Sequence, residues 1–186
     1  MRLEADGLMI EIIPEVFRYD PTSADNKHSY DRVYRFADHQ SSVHGVKVFA
    51  DGDLLASAVL IAGGGASGIH DHSALAGPKI IYIAVGDHVV CLSLPTLELA
   101  WATKTDQATC FGVHAISGSS DVLSHGELEI ARVSDTGRIL WSNSGKDIFT
   151  GEVSIHDHAV KAVDFEGKSY AFDLLTGQQQ SCSPVA

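Results

Sequence analysis

From about residue 43 onward, strand-sized apolar pieces alternate with short polar turns, as in "GVKVFADGDLLASAVLIA" and "KIIYIAVGDHVVCLSLPT". Val89 and Cys91 fall on one face of such a piece and Val90 and Leu92 on the other, a pattern that suits strands buried on both sides between stacked sheets. The pattern also recurs. The segments "IYIAVGDHVVCLSLPTLELAW" (81–101), "DVLSHGELEIARVSDTGRILW" (121–141) and "KAVDFEGKSYAFDLLTGQQQS" (161–181) align without a gap at a spacing of forty residues. Each predicts a strand, a tight turn (Gly86-Asp87, Gly126-Glu127, Glu166-Gly167), a second strand and a further turn (Pro95-Thr96, Thr136-Gly137, Thr176-Gly177). The first two continue into a third strand that ends in Trp101 and Trp141.

A further strand precedes each unit: "GIH" ends at His70, "GVH" at His114 and "SIH" at His156, spaced 44 and 42 residues apart. Four short strands in about forty residues is the plan of a propeller blade, a small twisted sheet that buries its faces only against neighbours. The expected fold is therefore all-β: a small propeller-like array of about four antiparallel four-stranded blades, three clear repeats and one irregular region.

The three segments that contain the further turns carry a more specific likeness. "CLSLPTLELAW", "ARVSDTGRILW" and "AFDLLTGQQQS" resemble the tryptophan-docking motif of pyrroloquinoline-quinone-type (quinoprotein-like) β-propeller repeats, Ala-x-Asp-x-x-Thr-Gly-x-x-x-Trp. The third copy keeps Ala171, Asp173, Thr176 and Gly177 and has Ser181 at the Trp position. The second keeps Ala131, Thr136, Gly137 and Trp141 and has Val133 for Asp, while the first keeps Thr96 and Trp101. The resemblance covers residues 66–181, about 60% of the chain. It implies blades with Trp101 and Trp141 as packing wedges between them. No residue here matches the cofactor or calcium positions of the complete quinone-dependent enzymes, so the resemblance implies no cofactor and no activity.

Residues 1–65 fit the period less well and predict an irregular β region, either a blade or an edge cap; residues 66–186 hold the repeats, and the two together make one compact domain. "LMIEIIPEVFRY" reads as strand, Pro14 interruption and strand. "DPTSADNKHSYD" reads as a polar loop, and Asp51-Gly52 as a hairpin turn. "GGGASG" (63–68) lacks the Gly-Lys-Ser/Thr ending of a phosphate loop and reads as a flexible connector.

Composition narrows the partners. The net charge is −11 and the 13 basic residues are scattered, which argues against nucleic acid and anionic membranes, since both reward clustered Lys and Arg. No apolar run reaches membrane-spanning length, and no signal peptide is legible at the N-terminus; the expected location is cytoplasmic. Cys91, Cys110 and Cys182 are odd in number and widely spaced, as reduced thiols are, and Cys91 and Cys110 read as core.

Candidate chemistry centres on the histidines. At the ends of innermost strands, His70, His114 and His156 would gather at one channel mouth, enough for a divalent metal, with Asp71, His72, Asp157 and His158 as further or supporting ligands. A metal there would support hydrolysis or oxidation. The competing readings are that the histidines repeat because the blades repeat, or that they sense pH. His88 and His125, near blade turns, read as exposed. Lys146, Asp147 and Phe149, in the connection "SNSGKDIFTGE", are a candidate interaction surface. The function expected is a non-catalytic protein- or peptide-binding module with a partner of basic character, in one form an acidic cap on a basic toxin domain. The alternatives are the metal-dependent enzyme and a structural element that completes a ring as a homodimer.

Overall fold

The computed structural model describes residues 1–16 and 18–180 and contains strands, turns and loops, with no helix among them. The N-terminal sheet comprises β1 (Arg2–Ala5), β2 (Leu8–Pro14), β3 (Arg32–Arg35), β4 (Ser42–Ala50) and β5 (Asp53–Ala62) in the order β1-β2-β4-β5-β3. Three four-stranded antiparallel sheets follow. The second holds β6 (Ala74–Ala76), β7 (Ile80–Val85), β8 (His88–Ser93) and β9 (Leu99–Lys104). The third holds β10 (Cys110–Ala115), β11 (Val122–Gly126), β12 (Glu129–Val133) and β13 (Ile139–Ser144). The fourth holds β14 (Val153–His156), β15 (Ala159–Val163), β16 (Ser169–Asp173) and β17 (Gln179–Gln180). In each of these three the strands are ordered as they occur in the chain, the plan of a propeller blade.

The N-terminal sheet departs from the four-stranded expectation. It has a fifth strand, and β3 pairs with β5 in parallel. The segment after Pro14 forms no strand among the described residues; it leaves the sheet as a loop that folds over the outer face, where Tyr19 and Tyr30 cover Val43, Val59 and Ile61. Glu15 holds that loop, accepting hydrogen bonds from Tyr30 Oη at 2.5 Å and pairing with His28 Nδ1 at 2.6 Å. Between β4 and β5, Asp51 and Gly52 both have positive φ (51° and 90°), the geometry of the two-residue turn that suits strand twist.

Apolar side chains are shared between neighbouring sheets. One cluster joins the first and second sheets through Ile12, Val46, Leu60, Ile81 and Val90. A second joins the second and third through Ile80, Tyr82, Cys91, Val113 and Val133. A third joins the third and fourth through Leu123, Ile130, Trp141, Val160 and Phe172. In the fourth sheet the row Ile155, Val160 and Phe172 is apolar, whereas the neighbouring row Ser154, Lys161, Ala171 and Gln180 is polar or small. The alternation directs the first row to the third sheet and leaves the second facing outward, as on the terminal repeat of a stacked array.

The repeated turns lock one sheet onto the next. Trp101 donates its Nε1–H to Asp135 O at 2.8 Å, and Trp141 donates to Leu174 O at 3.0 Å. A β-carbon on Gly137 would lie 2.7 Å from Trp101 Cδ2, and one on Gly177 would lie 2.7 Å from Trp141 Cγ. Thr103 and Asn143, forty residues apart, bond the carbonyls of Gly137 and Gly177. In the fourth sheet Asp173 Oδ1 accepts from the backbone N–H of Leu175 and Thr176 and from Thr176 Oγ1. In the third sheet, which has Val133 at that position, Ser134 bonds Thr136 and the N–H of Arg138 instead. The N-terminal sheet supplies no Trp; Tyr34 on β3 donates to Leu97 O at 2.9 Å. Ser181 and Cys182 lie outside the described residues.

Candidate functional site at the mouth between the repeat sheets

The inner-strand ends of the third and fourth sheets, with the connection entering the second, enclose a half-open pocket of about 340 Å³. His70, His72, His114 and His125 contribute to its wall, together with Phe111 and Val153. A second opening of about 330 Å³ shares His72 and His114 and has Asp71 at its edge. The His72 and His114 ring centroids are 4.6 Å apart, with His125 6.0 Å from His114 and His70 6.3 Å from His72.

Each ring is positioned by its element. His114 and Phe111 lie on β10, and His125 lies on β11 opposite Gly112. Phe111 meets His125 edge to face at 5.7 Å. His70 and His72 lie in the turn before β6, where Ser73 N–H bonds His70 O and Oγ of Ser73 accepts from His70 N–H. This turn comes against β10 because residue 112 is glycine: Val113 N–H bonds His72 O at 2.8 Å, and a β-carbon on Gly112 would sit 2.9 Å from that carbonyl oxygen.

The environment keeps two of these rings neutral. Burial, reinforced by the neighbouring His72, His125 and His70, pulls the His114 pKa down to about 4. Burial also lowers that of His125. Nε2 of His125 lies 3.3 Å from Phe149 O, which fixes that nitrogen as the donor and leaves Nδ1 as an acceptor. Nε2 of His114 is buried and has no hydrogen-bond partner within the protein.

The arrangement revises the expected triad. His70 and His114 reach the same pocket, but His156 does not line it. The register explains why. Tyr82, Val122 and Ala162, at the forty-residue period, pair with Leu75, Ala115 and Val153. His114 therefore stands where the second sheet has Ala74 and the fourth has Glu152. His156 is four residues beyond Glu152, about 13 Å along an extended strand. The two His-Asp-His sequences are likewise unrelated: residues 70–72 form the turn entering the second sheet, whereas Asp157 (φ 50°) and His158 form the hairpin between β14 and β15. The equivalent positions 74, 114 and 152 lie 40 and 38 residues apart, so spacings of 44 and 42 each carry the side chain four residues along. Among the described residues no three or more His, Cys, Asp or Glu side chains are disposed to hold a metal ion.

Other expected positions also move. Phe149 is fully buried, edge to face with Tyr170 at 5.4 Å, because the repeat leaves an apolar gap between the third and fourth sheets; it is no surface residue. Lys146 and Asp147 border a separate shallow cavity with Gln107 and Leu128. His125 is half-buried in the pocket, and His88 is half-buried against Phe36 at 5.5 Å with Nδ1 2.7 Å from Asp87 Oδ1. Cys91 and Cys110 are buried, and burial raises both thiols to about 11. The Gly63–Gly68 connection is pinned: Gly65 N–H bonds Ala108 O, and a β-carbon on Gly64 would collide with that same oxygen. His72, His125 and Glu152 were not legible as a group; Gly112, two residues before His114, was the one local sign that another segment approaches there.

No protein-family model matches the chain, and no curated protein matches it. Solved structures do. The computationally designed Ika8 protein is 14% identical with a TM-score of 0.56, over 97% of this chain and 59% of that one. BamB from Moraxella catarrhalis is 16% identical with a TM-score of 0.55, again over 97% and 59%. The computationally designed Ika4 protein is 15% identical with a TM-score of 0.52, over 63% of this chain and 78% of that one. This chain thus spans about three fifths of the Ika8 and BamB chains. These are β-propellers, and at such identities the likeness concerns the fold alone: the chain is an all-β array of four propeller-type blades.

Proposed function

We propose that the protein is a binding module whose mouth pocket receives a segment of a basic protein partner. The observation that carries this reading is the pocket itself: a half-open cavity of about 340 Å³ with four histidines, Phe111 and Glu152 in its wall, and with His114 Nε2 buried and unpartnered behind that wall. A buried polar atom without a partner is costly, and a ligand that draws the His114 ring towards the pocket recovers that cost. The volume lies at the small end of the roughly 300–1,000 Å³ typical of ligand sites, which suits one large side chain rather than a cofactor. The net charge of −11 favours encounter with a positively charged partner. The blade pattern is that of a quinoprotein-like repeat put to binding rather than to redox chemistry.

The test is a panel of peptides of equal length and differing charge, titrated at low and high salt. Basic peptides should bind, more weakly at high salt, and a His114→Leu chain should bind less; equal binding of acidic and basic peptides, or none, contradicts the reading.

A second reading has one observation in its favour. The rings of His72, His114 and His125 are neighbours, and imidazoles are ligands for divalent transition metals. They lie side by side rather than around a common point, so a metal would require ring rotation. Zinc titration followed by elemental analysis tests it: stoichiometric retention that His114→Leu abolishes supports a metal site, and no retention contradicts one. Ring completion by a second copy has less support, because the outer row of the fourth sheet is polar.

A further inference from the structure

We propose that the mouth pocket is a receptor for a single cationic side chain, a guanidinium in preference to an ammonium, and that this is how the module grips its basic partner. The inference rests on the binding reading above and assigns the chemistry of the anchor.

Three features of the site select a cation. First, its carboxylates: Glu152 lines the pocket and Asp71 lines the opening on the other side of the His72–His114 pair, while neither opening has a lysine or arginine among its described lining residues. Both carboxylates are exposed, so they meet an incoming charge without prior burial. Neither is in an ion pair with another described residue. Second, its walls: Phe111 and the imidazoles of His72, His114 and His125 form a run of neighbouring aromatic rings along one pocket, and a planar guanidinium stacks on such rings with the ring quadrupole in its favour. Third, its hydrogen bonding: with His125 donating through Nε2 to Phe149 O, its Nδ1 is an acceptor, and the exposed carboxylate of Glu152 is another. A guanidinium is a pure donor with five N–H groups in a fixed fork, so it satisfies acceptors on two sides at once; an ammonium donates from a single point and is more strongly hydrated. An anion would instead meet Glu152 and Asp71.

The register gives the carboxylate a defined place. Glu152 immediately precedes β14, and continuing the pairing by one residue sets it at the position that His114 holds in the third sheet, so one blade brings an imidazole to the mouth and the next a carboxylate.

The experiment follows the histidine ring resonances of the full chain during titration with N-acetyl-arginine methylamide, with the lysine and norleucine analogues and acetate as comparisons. The expected result is a saturable shift of the His72, His114 and His125 rings by the arginine probe, a weaker response to the lysine probe and none to norleucine or acetate. Glu152→Gln, whose exposed side chain is not required for folding, should weaken arginine binding several-fold at an unchanged thermal midpoint. An equal response to norleucine makes the pocket merely apolar, and a response to acetate makes it an anion site; either overturns the proposal, as does an arginine response that Glu152→Gln leaves unchanged. If basic peptides bind the chain but the arginine probe leaves the rings unmoved, the anchor lies elsewhere and only this inference falls. If neither binds, the binding reading falls as well.

Discussion

Trp141 in the third sheet lies over Gly177 in the fourth, so close that a β-carbon on the glycine would be 2.7 Å from the indole Cγ, while the indole N–H reaches Leu174 O at 3.0 Å. Trp101 and Gly137 repeat the relation one sheet earlier. The Thr-Gly turn thus does two things: it takes positive φ (74° at Gly177), and it leaves the space into which the preceding blade inserts its ring.

Gly177→Ala should therefore cost more than a glycine replacement that meets only backbone strain. Gly7 has a similar φ of 76° with no atom within 4 Å of its missing β-carbon. Urea unfolding should show a loss of about 1–2 kcal/mol for Gly7→Ala. Crowding by Trp141 should bring Gly177→Ala to about 2–5 kcal/mol. Equal losses would mean that the indole does not lock the sheets.

Tyr34 performs for the first sheet the task that tryptophan performs for the next two. Its hydroxyl bonds the carbonyl of Leu97, a buried residue held at φ 56° where the other blades have glycine. Tyr34→Phe keeps the ring and removes the bond, so unfolding should become easier by about 1 kcal/mol. An unchanged midpoint would assign the contact no energetic role.

Stability should fall in acid between defined limits. Burial lowers His114 and His44 from 6.5 to about 4, so the fold prefers both rings neutral. Such groups contribute fully above pH 6.5, and their contribution is lost as pH falls from there towards about 4, where the folded chain itself takes up the proton. The loss is roughly 2 kcal/mol per ring by pH 4.5. Thermal unfolding across this range should show the drop, and His114→Asn should reduce its size. A midpoint flat from pH 7 to 4.5, or an unaltered drop in the variant, would contradict this.

Cys91 and Cys110 should resist alkylation in the folded chain. Both are buried and both thiols are raised to about 11 by that burial, so little thiolate forms at pH 8 and reagents do not reach it. A Cys182→Ser chain should react with a disulfide reagent only after denaturant is added; prompt native reaction would place one of the two thiols at the surface.

How far the sequence disclosed this structure depended on the range of the interaction. The repeat unit is local: strands, turns and docking tryptophan lie within about twenty residues of one another, so Trp101, Trp141, Gly137 and Gly177 were readable at once. The compensations were not. Ser134 takes over from the missing Asp at 133 by a shift of one residue, and Tyr34 replaces a tryptophan from a strand that joins its sheet in parallel. The site was half legible. His70 and His114 line one pocket, but spacing alone does not tell that His156 sits at the far end of its strand. Nor could it tell that the loop carrying His72 crosses to β10 over Gly112, because blade connections of unequal length set both.

Amide hydrogen exchange of the full chain with and without a saturating basic peptide tests the mouth as a binding site most directly. A binding site at the mouth predicts added protection in the segments around residues 70–72, 110–114 and 150–153, with little change along the outer strands β9 and β13. Protection confined to those outer strands, or spread evenly over the chain, would contradict a binding site at the mouth.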